Sequence, residues 1–217
     1  MLLYYITDRS QFPGDETARQ RALLAKIAEA VRCEVNVIQL REKDLPVRQL
    51  ESLTRAVLRI VLENSSPGTG NRERTTRLLV NSRSDVVLAC GADGVHLRSN
   101  DISASEMRKI WAQTGHSSGA VVSVSCHSPN DVARAASDGA DFAVFAPVFE
   151  KKDSLQANST GLDGLREACR QDIPVLALGG VTLTNARACV DAGAAGIAAI
   201  RLFQENDIGE VVRRLRN

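Results

Sequence analysis

The sequence lacks any apolar run that approaches the ~20 residues of a membrane-spanning helix. Its opening, MLLYYITDRS, has no basic group ahead of the apolar residues and meets Asp8 at once, which does not fit a secretory signal peptide. The five cysteines are scattered and include no C-x-x-C pair, a pattern that indicates reduced thiols rather than disulfides or a zinc site. We therefore expect a cytoplasmic protein with no membrane anchor.

An excess of charge of either sign is also missing. Lys and Arg number 27 against 26 Asp and Glu, a net charge of +1, which provides no long-range attraction to nucleic acid or to a membrane surface. Any anion must then be bound by a local cluster. A chain of 217 residues with 44% hydrophobic content is long enough for one substantial core. We expect a single domain over residues 1–217.

Short β-rich runs alternate with helical patterns along the chain. Strands are predicted near 3–7, 35–40, 77–81, 94–97, 120–125, 141–145, 174–178 and 196–200. Helices are predicted near 16–31, 47–63, 83–90, 103–114, 129–138, 162–170, 182–192 and 206–216. This alternation predicts a parallel sheet covered by helices. Eight repeats favour an α/β TIM (β/α)8 barrel, and an open doubly wound sheet is the alternative.

The segment VNVIQLREKD, residues 35–44, ends one of these strands with charged residues. Strand side chains alternate between two faces, so Gln39 and Arg41 share a face, and Lys43 is next in the same series. A guanidinium and an ammonium group together suit a phosphate or pyrophosphate. The alternative is a solvated charge run that precedes the next helix.

A second polar segment, Ser123 to Ser128, ends the fifth predicted strand. By the same alternation, Ser123, Ser125 and His127 share a face. An imidazole titrates near neutral pH, which makes His127 the candidate proton carrier. The alternative for His127 is a hydrogen bond at the start of the next helix. His96 lies in the apolar run GVHL and is interpreted as structural.

Glycines follow the seventh predicted strand and open the eighth. Gly179 and Gly180 allow backbone N–H groups to approach a phosphate, and Gly196 is expected beside them. The alternative is that these glycines serve only a tight turn. The segment from Glu150 to Thr160 follows strand six, on the same end of the predicted barrel. It is either a mobile lid over the site or an ordinary loop.

Taken together, these motifs make the chain resemble the thiamin phosphate synthase/TenI superfamily over nearly its whole length. The matching stretches are YYITDR, VIQLREKD, LLVNSRSDVVLACGADGVHL, VSVSCHS, GADFAVFAPVFEKKD and VLALGGVTLTNARACVDAGAAGIAAI. The resemblance implies a homodimeric barrel that binds small molecules. One activity of the superfamily joins a pyrimidine methyl pyrophosphate to a thiazole phosphate with magnesium. The other, found in TenI-type proteins, is a thiazole tautomerase that moves a proton.

The resemblance also implies roles for individual residues. Residues of the synthase that bind the pyrimidine pyrophosphate are matched by Gln39, Arg41, Lys43 and Asn81, and further pyrophosphate contacts by Ser125 and Lys151. Gly179 and Gly180 match the thiazole phosphate loop of the superfamily. Asp101 matches a magnesium ligand of the synthase, and His127 matches the proton-transferring histidine of TenI.

Three departures from the synthase pattern qualify these roles. Ser82 stands where the synthase has a second magnesium-binding aspartate, and a serine supplies no anionic oxygen. The loop after strand six, beginning Pro147-Val148-Phe149-Glu150, lacks two threonines and looks more like TenI. After the GVHL stretch, this chain has Arg98-Ser99 where the synthase has Gly-Gln.

The departures lead to three functional hypotheses. The first is a TenI-like thiazole tautomerase in which His127 transfers the proton and no metal is required. The alternative is a thiamin phosphate synthase that uses magnesium at a degenerate site, where Arg98, Arg41 and Lys43 offset part of the pyrophosphate charge. The third hypothesis is a non-catalytic protein that binds thiazole phosphate or thiamin phosphate.

Overall fold

A computed structural model of the protein describes residues 1–64, 76–114, 119–149 and 159–217. Eight parallel strands form a closed barrel in sequence order, and the first strand pairs with the eighth to complete the ring. This closure confirms the predicted (β/α)8 barrel and excludes the open sheet. Within the described ranges, no helix is long and apolar enough to cross a membrane.

The strands lie within two residues of their predicted positions. They are β1 (Leu2–Ile6), β2 (Val37–Leu40), β3 (Arg77–Asn81), β4 (Gly94–Leu97), β5 (Val121–Cys126), β6 (Phe142–Phe145), β7 (Val175–Ala177) and β8 (Gly196–Ala199). The helices are α1 (Glu16–Arg32), α2 (Val47–Asn64), α3 (Ser84–Cys90), α4 (Ala104–Gln113), α5 (Pro129–Ser137), α6 (Gly161–Ala168), α7 (Ala186–Asp191), α8 (Arg201–Gln204) and α9 (Ile208–Arg216). The short α8 and a 3₁₀ turn at Arg9–Gln11 were not predicted.

Two separate apolar clusters result from the alternation of side chains along the strands. One fills the inside of the barrel and contains Tyr4, Ile6, Val37, Leu79, Val121, Phe142, Val144, Leu176 and Ala198. The other, much larger, lies between the strands and the helices. Because both faces of most strands are buried, the strands are nearly continuous apolar runs, as is typical of parallel barrels.

Glycine is required where neighbouring strands approach most closely. A Cβ atom on Gly94 would lie 2.0 Å from the carbonyl oxygen of Val121, and one on Gly196 would lie 2.0 Å from that of Leu2. Each glycine is the first residue of its strand. Both therefore serve the packing of the barrel at its amino-terminal end.

The start of α5 fixes the end of β5. Ser128 and Asp131 form a capping box, and Pro129 occupies the first turn. The Asp131 carboxylate also accepts the backbone N–H of His127 at 3.1 Å. The residue that follows β5 is thus held by the helix that comes after it.

Candidate active site

A chain of side-chain hydrogen bonds connects β1 and β2 with the end of β3 and the loop after β4. The buried amide of Gln39 accepts a hydrogen bond from the Tyr4 hydroxyl at 3.0 Å and donates one to the Asn81 carbonyl oxygen at 2.8 Å. The Asn81 amide donates to the Ser82 hydroxyl, which donates to Asp101 at 2.7 Å. The orientation of both amides is fixed in this way. The structure thus brings together three residues that the sequence placed at the rim: Gln39, Asn81 and Asp101.

His96 occupies the centre of a second polar group inside the barrel. Its Nδ1 lies 2.8 Å from the Ser123 hydroxyl, and its Nε2 lies 2.8 Å from the Ser125 hydroxyl. Burial, and to a smaller extent the charge of Arg41, lowers the pKa of His96 to about 3, so the ring is neutral at pH 7. The residue interpreted as structural is therefore the group that holds the predicted site residue Ser125.

His127 is exposed and lies just past the end of β5. Its Nδ1 lies 2.8 Å from the carbonyl oxygen of Ala146, which can only accept a hydrogen bond, so the ring is protonated at Nδ1. In the neutral ring, Nε2 then carries the lone pair that can accept a proton. Cys126 is buried with the residues that pack outside the barrel, on the opposite face, as the alternation predicts.

Arg41 and Lys43 follow β2 at the rim, Arg41 half-buried and Lys43 exposed. The backbone N–H of Arg41 donates to the Thr7 hydroxyl at 3.0 Å, which ties the loop after β2 to the end of β1. Among the residues that the structure describes, the Arg41 guanidinium has no ion-pair partner. Its charge can therefore be directed to a bound anion.

The loop after β7 is joined to the loop after β6. Gly179 has φ of 97° and Gly180 has φ of 64°, values that favour glycine. The carbonyl oxygen of Gly179 accepts the backbone N–H of Phe149 at 3.0 Å, and a Cβ on Gly179 would lie 2.8 Å from Pro147 Cα. Asn185 donates to the Gly180 carbonyl oxygen at 3.0 Å. Both carbonyl groups are thus occupied, and in the described ranges neither glycine N–H has a protein acceptor.

Two of the predicted site residues are not placed with the others. Gly196 lies at the amino end of β8, paired with Leu2 and Leu176, whereas the predicted site residues lie at the carboxyl ends of the strands. The expectation that Gly196 borders the phosphate loop is wrong, because the residue that opens a parallel strand lies at the far end of the barrel. Lys151 lies outside the described residues, as does most of the segment from Glu150 to Thr160.

A buried ion pair that was not predicted from the sequence lies beneath the rim. The Glu42 carboxylate accepts hydrogen bonds from the Thr7 hydroxyl at 2.6 Å and from the Arg9 backbone and guanidinium at 3.0 and 3.1 Å. Face alternation was the available signal, since it places Glu42 with Leu40, away from Arg41. A carboxylate on an apolar face requires a partner. The partner here is Arg9, the last residue of the stretch YYITDR.

The residues at the predicted magnesium site do not fit a two-carboxylate metal centre. Both oxygens of Asp101 are occupied, because Oδ2 accepts from the Ser82 hydroxyl at 2.7 Å and from the Arg98 backbone at 2.8 Å, and Oδ1 accepts from the Arg98 guanidinium at 2.8 Å. Although burial raises the pKa of Asp101, these hydrogen bonds outweigh it, and the net pKa is lowered. In the part of the chain that the structure describes, no group of three or more acidic, His or Cys side chains is placed to hold a metal.

Comparison with known proteins places the sequence in one family. A family model described as thiamine monophosphate synthase matches residues 3–203. The chain belongs to the thiamine monophosphate synthase family. A putative thiamine-phosphate synthase of Geobacter sulfurreducens is 39% identical over 200 residues, which cover 91% of this chain and 84% of that protein. A thiamine-phosphate synthase of Roseiflexus castenholzii is 35% identical over 201 residues, covering 92% of this chain and 79% of the other.

A solved structure of a family member supports the assignment. Thiamine phosphate pyrophosphorylase from Pyrococcus furiosus superposes with a TM-score of 0.78 and 28% sequence identity, covering 99% of this chain and 93% of that one. The family and its relatives confirm the sequence-based resemblance and identify the chain as an enzyme of thiamin biosynthesis.

Proposed function

We propose that the protein is a thiamin phosphate synthase, which joins a pyrimidine methyl pyrophosphate to a thiazole phosphate and releases pyrophosphate. One observation carries the proposal: two groups suited to anions flank the barrel mouth from different sides. Arg41 and Lys43 follow β2, whereas Gly179 and Gly180 follow β7, three strands away around the ring in the shorter direction. A tautomerase needs only one phosphate site, whereas a synthase needs two. The names of the relatives favour the same activity.

The chemistry requires separation of charge at the pyrimidine methylene carbon. The bond from this carbon to the pyrophosphate oxygen breaks, and the electron pair leaves with pyrophosphate. The thiazole nitrogen then donates its lone pair to the carbon and becomes the quaternary nitrogen of a thiazolium, so no net proton is consumed or released at the reacting atoms. Cations beside the departing pyrophosphate stabilise the charge that develops there. Arg41 and Lys43 are assigned this role.

The fixed polar groups inside the barrel suit a neutral pyrimidine. We assign Gln39 and Asn81 to the pyrimidine side of this substrate, since both amides are held in one orientation by their neighbours. Ser125, held by neutral His96, is assigned to the departing pyrophosphate, as the family resemblance implies. The backbone of Gly179 and Gly180 is assigned to the thiazole phosphate.

In this proposal, protein cations rather than a resident Mg²⁺ neutralise most of the pyrophosphate charge. The single carboxylate at the predicted metal site is already paired with Arg98, and Ser82 adds no anionic oxygen. Arg41 and Lys43 lie at the same rim and supply two positive charges for the pyrophosphate.

The direct test supplies both substrates and measures thiamin phosphate and released pyrophosphate. We expect product with the wild type and a rate about 100-fold lower with Arg41→Gln, the usual cost of removing one transition-state charge partner. Arg55→Gln is the matched control, because Arg55 is exposed on α2 and paired with Glu51. Absence of product from concentrated wild type over a long incubation with both substrates and added Mg²⁺ rules out the synthase.

A thiazole tautomerase is the second candidate, and the hydrogen bond of His127 to Ala146 favours it. With the proton on Nδ1, Nε2 is available to accept a proton from a bound thiazole. The same phosphate loop would hold that substrate. Turnover by either reaction excludes the non-catalytic hypothesis.

A further inference from the structure

Charges alternate in the loop after β2, where Arg41, Glu42, Lys43 and Asp44 follow one another. In an exposed loop of this kind, neighbouring acids and bases would readily pair with one another. Both acids instead bind a residue from another part of the chain. The Arg9 guanidinium contacts Glu42 at 3.1 Å and both oxygens of Asp44 at 2.7 and 2.8 Å.

Arg9 and Glu42 form a built ionic centre rather than a surface contact. The Arg9 side chain is 5% exposed and that of Glu42 is 1% exposed. Buried charges are costly unless they are paired and their remaining hydrogen-bonding positions are filled. Here Thr7 and the Arg9 backbone fill the other positions of Glu42. Arg9 also binds Glu16 at 2.6 Å through Nε.

Acids outnumber bases around this centre. Arg9 faces three carboxylates, those of Glu16, Glu42 and Asp44, with Arg19 close enough to affect Asp44 electrostatically. The hydrogen bonds from Arg9 lower the pKa of Asp44, so this carboxylate is fully ionised at neutral pH. Without Arg9, the carboxylates of Glu42 and Asp44 would lie one and three residues from Arg41 in the sequence.

We infer that Arg9 is a positioning residue for pyrophosphate binding: it holds Glu42 and Asp44 so that neither carboxylate pairs with Arg41. The Arg41 backbone is fixed through the same residues, since its N–H donates to Thr7, whose hydroxyl donates to Glu42. The inference rests on the proposed function, in which Arg41 binds pyrophosphate.

The role requires the shape of the guanidinium as well as its charge. Arg9 uses Nε for Glu16, Nη1 for Glu42 and Asp44, and Nη2 for Asp44. A lysine ammonium at this position can retain one partner but cannot hold both oxygens of Asp44. Arg9→Lys is therefore expected to keep the buried pair with Glu42 and to release Asp44.

The test measures pyrophosphate and thiazole phosphate binding by calorimetry in the wild type, Arg9→Lys, Asp44→Asn and the double variant. We expect Arg9→Lys to weaken pyrophosphate binding about fivefold, the upper end of the effect of one competing ion pair near the surface. Asp44→Asn alone is expected to change it less than about twofold, and Asp44→Asn is expected to restore the affinity of Arg9→Lys to within about twofold of wild type. Binding of thiazole phosphate is expected to stay within about twofold throughout.

Each of the other outcomes contradicts either the inference about Arg9 or the proposed function. If the double variant binds pyrophosphate as weakly as Arg9→Lys, Arg9 acts only through the fold and the inference is wrong. If the wild type binds no pyrophosphate, the proposed function fails and the inference fails with it. Pyrophosphate binding by the wild type that is unchanged in Arg9→Lys removes the inference alone.

A neutral replacement of the whole centre covers the case in which Arg9→Lys does not fold. The triple variant Arg9→Gln, Glu42→Gln and Asp44→Asn removes these three charges together, so that no buried charge is left without its partner. We expect it to bind pyrophosphate within about threefold of wild type, because neither acid of the loop after β2 remains to compete for Arg41. A loss of more than about tenfold in the folded triple variant contradicts the inference.

Discussion

The Nε2 atom of His96 lies 2.8 Å from the hydroxyl of Ser125, and the other ring nitrogen lies 2.8 Å from Ser123. Each ring nitrogen has a hydroxyl partner, and since a hydroxyl can donate or accept, the neutral imidazole is fully hydrogen-bonded inside the barrel. The arrangement connects the packing inside the barrel with a residue assigned to substrate binding. It also makes the stability of the protein depend on pH.

We predict that His96 destabilises the protein in mild acid. The pKa of His96 is about 3 in the folded protein, against an ordinary value of 6.5, so the unfolded chain binds the extra proton between these values. Full stability is therefore present above about pH 6.5 and is lost progressively below it, and the loss amounts to about 2 kcal/mol at pH 5. Urea unfolding at about pH 7.5 and pH 5 measures it. In His96→Gln this component of the decrease should be absent, and an identical decrease in both proteins contradicts the prediction.

Gly179→Ala is predicted to weaken thiazole phosphate binding by about tenfold or more. The added Cβ meets the backbone of Pro147 at 2.8 Å in a residue with φ of 97°, so the loop must move to accommodate it. Gly91→Ala is the matched control, since Gly91 has φ of 72° with open space around its Cβ position and lies at the other end of the barrel. It should cost about 1 kcal/mol of stability and leave binding unchanged. Equal affinity in both variants shows that Gly179 does not shape the phosphate site.

Ser82→Asp is predicted to create a requirement for magnesium. Ser82 has φ of 57°, a conformation in which aspartate is more favourable than serine, so the backbone should accept the change. The new carboxylate lies beside Asp101 and provides the second anionic oxygen that a hard cation prefers. We expect wild-type turnover to be nearly unchanged by EDTA and that of Ser82→Asp to depend on added Mg²⁺. Ser137→Asp, at the end of α5, adds the same charge at the opposite end of the barrel as a control. Loss of wild-type turnover in EDTA contradicts metal independence.

His127→Asn separates the two candidate activities. Asparagine can still donate to the Ala146 carbonyl oxygen but cannot transfer a proton. For a synthase, whose reacting atoms exchange no proton, we expect the rate of thiamin phosphate formation to fall by less than about tenfold. For a tautomerase, the rate of thiazole aromatisation should fall by about 100-fold or more, with thiazole phosphate still bound. Undiminished tautomerisation in the variant removes that candidate.

Much of the barrel and part of its rim could be predicted because local patterns determine them. The alternation of faces along residues 35–43 correctly separated inward Gln39 from outward Leu40, and β3 and β4 have the predicted bounds. The misplacement of Gly196 was avoidable, because chain direction alone assigns the first residue of a parallel strand to the amino-terminal end.

The centre around Arg9 could not be predicted in the same way. Glu42 lies between two cations in the sequence, and nothing local shows that its partner is 33 residues earlier. The choice is made by three-dimensional proximity, since β1 and β2 are neighbours and their following loops meet. Likewise, the environment of His96 depends on serines of another strand, 27 and 29 residues later.

The two glycines that open β4 and β8 stand on diametrically opposite strands of the ring. At both, a neighbouring main-chain carbonyl occupies the volume that any larger side chain would need. The close spacing of these strands is thus fixed at the end of the barrel that is remote from the proposed substrate sites. Rim segments from relatives with other specificities could be transplanted onto this base, provided that both glycines are retained.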